Sequence, residues 1–192
     1  MALIIGNNRP NILHGTQNRD EIFGRGGDDQ LFGRGANDQL FGQDGRDTIY
    51  GDHGNDHLRG GLNGDWLSGG RGSDEIDGGF GNDKLFGGFA DDDLDGNRGN
   101  DVLNGGRGTN ELDGGFGDDT FIFRFGHTTI EDFGVGDDVI QIARSLGVDN
   151  FQELAALGRN VGDDVVFDFG SDDLRIDDKH LSDLSASDFE FI

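Results

Sequence analysis

GGFGNDKLF, residues 78–86, is one nine-residue word in a run of thirteen laid end to end from Gly6 to Ile122, with no inserted or deleted residue. The word carries glycine first, usually glycine fourth, aspartate sixth and an apolar residue eighth. Glycine holds position one in every word. Position eight reads Leu13, Ile22, Leu31, Leu40, Ile49, Leu58, Leu67, Ile76, Leu85, Leu94, Leu103, Leu112 and Phe121. Position six is aspartate in eleven words and asparagine in two, Asn11 and Asn110. A period held this strictly marks a solenoid, in which each word is one unit stacked on its neighbours.

Each word divides into a turn, positions one to six, and a short strand, positions seven to nine. Side chains alternate along a strand, so the uniformly apolar position eight faces inward and positions seven and nine face outward. Two words make one coil of 18 residues, with two strands facing each other across a thin core. Alternate words then stack in separate columns and form two parallel sheets. The expected fold is all-β: a right-handed parallel β-roll over residues 1–122, with a small β-rich cap over 123–192.

Composition says that such a fold needs help. The chain of 192 residues is 32% hydrophobic, holds 37 glycines and carries a formal net charge of -24. Little apolar surface is available to offset the entropy of ordering so much glycine. A bound cation is the natural remedy. Glycine tolerates the left-handed and close-approach conformations of a tight reversal and leaves backbone carbonyls bare. Carbonyl and carboxylate oxygens are the ligands a hard cation such as calcium prefers. Stacked turns place one position-six side chain per layer, and each gap between layers can take one ion. Seven turns in one column and six in the other give eleven gaps, hence up to about eleven ions. That many divalent ions would nearly cancel the chain's charge; without them, aspartates one strand spacing apart repel.

The words resemble the RTX (repeats-in-toxin) nonapeptide, GGxGxDxUx, a calcium-binding repeat. The resemblance implies ions held between successive turns by the position-six aspartates and by carbonyls of the early positions. The implied side-chain ligands are Asp20, Asp38, Asp56, Asp74 and Asp92 in one column, and Asp29, Asp47, Asp65, Asp83, Asp101 and Asp119 in the other. Gly69, Gly72, Gly78, Gly79, Gly81, Gly87, Gly88, Gly96 and Gly99 are implied as carbonyl donors. Departures from the pattern weaken particular sites. Asn11 and Asn110 each remove a carboxylate. Ala36 and Ala90 put a β-carbon at position four, and Asn18 and Asn63 are milder changes there. Position two is glycine in only six words, so the N-terminal half is expected to clasp less tightly.

Beyond Ile122, phenylalanine rises and glycine falls. Phe121–Phe125 reads as a strand, and residues 128–142 as two alternating strands around a Gly-Val-Gly-Asp-Asp turn. Asp149 is expected to cap a short helix over 150–157 that Gly158 stops. Residues 165–169 and 174–176 read as a hairpin, and the end of the chain as a turn and a terminal strand. These elements are expected to cover the open end of the roll. Asp132, Asp137 and Asp138 are candidates for one more ion site at the junction. The segment is similar to the C-terminal part of RTX proteins exported by type I secretion, and to repeat modules of alginate epimerases. That resemblance implies a secreted, extracellular protein that meets the type I secretion machinery and folds on extracellular calcium.

Other functions lack residues. The chain has no cysteine, so thiolate metal sites and disulfides are excluded. Its acidity argues against nucleic acid, and no stretch is apolar and long enough to span a bilayer. Met1–Gly6 lacks the basic and long apolar regions of a secretory leader. His53 and His57 have a zinc-protease spacing that works only on a helix; here a turn and a strand are expected, and the glutamate is missing. No catalytic constellation is present, and the chain is read as non-catalytic. Two outer faces remain. One carries Glu75, Asp77, Asp93, Asp95, Glu111 and Asp113. The other carries Phe32, Tyr50, Trp66 and Phe86 with Lys84, a stripe expected to be covered by the cap or to serve self-association, and suited otherwise to a protein partner or an acidic polysaccharide. The alternative reading is therefore a polysaccharide-binding accessory module of a secreted enzyme.

Overall fold

The computed structural model describes all residues, Met1–Ile192. The chain winds into a parallel two-sheet solenoid. Its strands alternate between an eleven-stranded and a nine-stranded sheet. The larger sheet begins Leu3–Ile5, Glu21–Gly26, Gln39–Asp44, His57–Leu62; the smaller begins Ile12–His14, Gln30–Phe32, Thr48–His53, Trp66–Arg71. Pairing is in register at one coil: Leu40 lies beside Leu58, and Leu67 beside Leu85. From Ile22 to Phe121 the position-eight side chains are at most 1% exposed. They form one continuous core that runs on into the C-terminal segment through Phe123, Ile130, Ile140 and Ile142.

Most strands are longer than the sequence suggested. Glu75–Phe80 and Lys84–Phe89, for example, run through positions seven to nine and on through one to three of the next word. Glycine at positions one and two does not end the pairing, because Gly88 still sits in register between Gly70 and Gly106. The turn is thus confined to positions four to six. One consequence is that His53 ends a strand rather than lying in a turn, and His57 begins a strand of the opposite sheet.

The nonad ends at Ile122, yet both sheets continue. Thr120–Phe123, His127–Ile130 and Val139–Ile142 stack as further rungs. The two strands flanking the Gly-Val-Gly-Asp-Asp turn do not pair with each other. That turn, like those of the repeats, sends the chain across the core into the opposite sheet. An excursion then interrupts the winding: the helix Phe151–Leu157 and the antiparallel strands Gly158–Val161 and Asp164–Asp168 precede Asp173–Ile176. The expected hairpin around Gly170 and Ser171 is present. The helix cap is Asn150 rather than Asp149, its side chain accepting from the Glu153 N–H at 3.1 Å. Asp149 instead donates its own N–H to Glu153 Oε2. Leu154 is fully buried; Phe167 meets Phe189 edge-on, and Phe151 stacks on Phe189. The last strand, Phe189–Phe191, lies in the smaller sheet beside Val139–Ile142.

Candidate metal centre

Each position-six aspartate immediately precedes a strand and is buried, so the aspartates form two columns, one along each sheet. Asp20, Asp38, Asp56, Asp74 and Asp92 precede strands of the larger sheet; Asp29, Asp47, Asp65, Asp83, Asp101 and Asp119 precede strands of the smaller. All eleven are 3% exposed or less. Within each column one carboxylate oxygen is spoken for. Asp38 Oδ1 accepts the Asp20 N–H at 2.7 Å, and Asp83 Oδ1 accepts the Asp65 N–H at 2.7 Å, one coil back. The other oxygen is not. Oδ2 of Asp29, Asp38, Asp47, Asp56, Asp65, Asp74, Asp83, Asp92, Asp101 and Asp119 is buried with no hydrogen-bond partner.

Buried carboxylate oxygens without donors are costly, and their titration reflects it. Burial pushes Asp65, Asp92 and Asp101 up to about 8, Asp56 up to about 7, and Asp38, Asp47, Asp74, Asp83 and Asp119 up to about 6. Asp29 is raised for the same reason. Asp20 differs. Burial acts on it too, but the N–H groups of Ala2 and Thr16 and the Thr16 hydroxyl outweigh it and lower its pKa.

The surroundings suit an oxygen-seeking cation. Position-one glycines face the aspartates: a β-carbon on Gly51 would lie 2.5 Å from Asp56 Oδ2 and 2.7 Å from the Gly69 carbonyl oxygen. Gly78, Gly87 and Gly96 are packed in the same way, and Gly69 lies against the Asp74 carboxylate. Position-four glycines form the turns, with Gly72, Gly81 and Gly99 at φ 116, 141 and 141°, where a β-carbon would collide with the carbonyl of the coil before. Gly79 and Gly88 at position two also have positive φ. No group of three carboxylate or imidazole side chains meets anywhere. An ion between two turns would therefore meet two carboxylates and draw its remaining ligands from carbonyls or water, a donor set that fits calcium.

The departures have structural counterparts. Asn110 is fully buried at its place in the column, and the Asp92 N–H reaches its Oδ1 at 3.1 Å. Ala36 and Ala90 adopt positive φ, 67 and 82°, as does Asn63. Before Gly61, position two holds Arg25, Arg34, Gln43 and Asp52 at positive φ. Such backbone costs a non-glycine residue about 1–2 kcal/mol. The strain is concentrated in the N-terminal half.

On the outer faces, Trp66 stacks on Phe86 with ring centroids 4.6 Å apart, Phe32 stacks on Tyr50, and Lys84 lies over Trp66. The cap leaves this stripe open, with Trp66 40% exposed. On the acidic face Arg59 pairs with Asp77 at 3.2 Å, and His57 approaches Glu75 at 3.3 Å. Sequence reasoning looked at position three only for threonine rows and missed that, from Arg71 and Phe80 onward, arginine and phenylalanine alternate up each column. Arg107 lies 5.9 Å from the Phe89 ring centre and 5.1 Å from that of Phe125, and Arg98 sits between Phe80 and Phe116. Reading position three coil by coil, rather than word by word, exposes this alternation.

A parallel β-solenoid with a ladder of buried, donor-poor carboxylates on each side is a calcium-binding β-roll. The chain belongs to the RTX calcium-binding nonapeptide repeat family, whose repeat matches it in four copies, at residues 5–40, 32–65, 59–94 and 86–121. No curated protein matches it in sequence. Among solved structures, the extracellular lipase LipA from Serratia marcescens is similar at a TM-score of 0.42 and 17% identity. The match covers 97% of this chain and 39% of the lipase. No helix is long and apolar enough to cross a membrane.

Proposed function

We propose that this chain is a secreted, non-catalytic calcium-binding β-roll whose folding is driven by calcium outside the cell. The observation that carries the reading is the set of ten buried Oδ2 atoms without partners. In calcium-poor cytosol these oxygens and the net charge of -24 oppose folding and leave a chain able to thread an exporter. At millimolar external calcium, binding supplies the missing partners, and binding energy becomes folding energy. The ligands are the eleven position-six aspartates with carbonyls of the position-one, -two and -four glycines, and the gaps admit up to about eleven ions. The terminal strand Phe189–Phe191 is built into the smaller sheet, so a type I secretion signal there would be read before the protein folds. Native mass spectrometry of the calcium-loaded chain tests the ligand assignment: a ladder of about eleven bound ions supports it, and one or two ions defeat it. Export of the full chain by a type I system, lost when residues 189–192 are deleted, tests the route.

The exposed Trp66–Phe86 stack beside Lys84 favours a second reading, binding of an acidic polysaccharide. Retention on immobilised alginate that disappears in a Tyr50→Ala/Trp66→Ala variant supports it. Retention unchanged by both substitutions sinks it.

A further inference from the structure

We propose that one further calcium ion binds outside the matched repeats, between the Asp119 and Asp138 turns, and fastens the C-terminal strand to the roll. The proposal rests on the calcium reading above and extends it to residues with no place in the nonad.

Residues 133–141, FGVGDDVIQ, carry a concealed word. Phe133 replaces the first glycine, and Asp132 is an extra residue that makes this coil 19 residues long, so the period is lost to sequence inspection. Geometrically the word is intact. The Asp119 N–H donates to Asp138 Oδ1 at 2.9 Å, as the Asp101 N–H donates to Asp119 Oδ1 at 2.8 Å one coil earlier. Gly136 has φ 155° and packs against the Gly117 carbonyl as Gly117 packs against that of Gly99. Asp138 is 8% exposed and Asp119 2%.

An independent observation points to a ligand. Asp119 Oδ2 is buried without a partner, like the same atom in the repeats below it. Asp138 Oδ2 accepts the Gly134 N–H at 2.6 Å, an arrangement shared with Asp20 and Thr16 at the other end of the molecule. Asp138 Oδ1 thus repeats the hydrogen bond found between repeats, Asp119 Oδ2 stays free for a cation, and Asp138 Oδ2 is held as Asp20 Oδ2 is at the first rung of the other column. Asp132 plays another part, since its two oxygens accept the Gly114 and Gly115 N–H groups. Asp137 stays at the surface, where its N–H reaches Asp118 Oδ1. The other column ends differently: beyond Asn110 its next rung is Thr128, which has no carboxylate. Only the column of the smaller sheet extends toward the cap.

Position gives this ion a role. The Val139 N–H donates to the Asp119 carbonyl at 2.9 Å, and the strand Val139–Ile142 carries the terminal strand Phe189–Phe191. Calcium in the gap would pin the turn that delivers this strand, and so couple docking of the tail to the metal.

The test compares the full chain with Asp138→Asn and Asp119→Asn by native mass spectrometry and calcium-dependent hydrogen exchange. The expected result is one ion fewer in D138N and two fewer in D119N, whose carboxylate borders two gaps. In D138N, amides of Val139–Ile142 and Phe189–Phe191 should lose calcium-dependent protection while the repeats keep theirs. An unchanged ion count in D138N overturns the proposal and leaves the repeat sites standing. Failure of the unaltered chain to bind calcium overturns the underlying reading as well.

Discussion

The backbone N–H of Asp65 donates to Oδ1 of Asp83 at 2.7 Å, one coil further on, while Oδ2 of Asp83 stays buried without a partner. Each position-six aspartate except Asp20 thus ties two coils together with one oxygen and offers the other to a cation. The hydrogen bond alone leaves a charge unbalanced; the hydrogen bond with an ion does not.

Removing one such carboxylate should be felt on both sides. Asp83→Asn keeps an acceptor for the Asp65 N–H but loses a charged ligand from two gaps. It should raise the calcium midpoint several-fold and lower stability in saturating calcium by about 2 kcal/mol. Asn110→Asp is the complement: it restores a carboxylate to its column and should lower the midpoint. Calorimetric calcium titration of the two variants reads both, and equal midpoints would contradict the assignment.

Acid should act in opposite directions with and without metal. In the metal-free fold the aspartate pKa values, about 6 to 8 for Asp83, Asp56 and Asp65, lie above the ordinary 3.8. The folded state then binds more protons than the unfolded one across this range. Its stability is present below about pH 4 and is lost as pH rises through 6 to 8. Metal-free protein should therefore gain β structure on acidification. With calcium, protons compete for the same oxygens, so the midpoint should climb as pH falls below about 6. Circular dichroism across pH 4–8 distinguishes the two trends, and parallel trends would refute the account.

Turn strain should be releasable. Ala90 has φ 82°, so Ala90→Gly trades about 1–2 kcal/mol of left-handed strain against about 0.4–1 kcal/mol of added chain entropy. A small net stabilisation is expected. Gly99→Ala should be severely destabilising, because its β-carbon would run into the Gly81 carbonyl. Thermal melts in excess calcium check both signs.

Core and ligands should separate in one assay. Leu67 is fully buried in the core, and Leu67→Ala should cost about 2–5 kcal/mol. Because binding and folding are linked, the calcium midpoint rises, yet the number of ions at saturation should stay the same. A lost ion would mean that core and sites are not distinct.

Much of this was legible because position six and position eight each carry one chemistry. The buried aspartates and the inward aliphatics stand where the nonad put them. The strand limits were not legible: glycine at positions one and two reads as turn, but its backbone goes on pairing. Asp149 and Asn150 are adjacent and both able to cap a helix, so only the geometry separates them. The concealed word at Phe133–Gln141 escaped because one substitution and one inserted residue broke the count. The arginine–phenylalanine rows escaped because they alternate between coils, so that like returns to like only from Arg71 to Arg107, 36 residues on rather than nine.

The central claim is that calcium supplies what the buried carboxylates lack. Titrating metal-free protein with calcium at neutral pH, followed by far-ultraviolet circular dichroism, tests it most directly. The account predicts a disordered spectrum in chelator and a cooperative rise of β structure complete by millimolar calcium. The same β spectrum before and after calcium would contradict it.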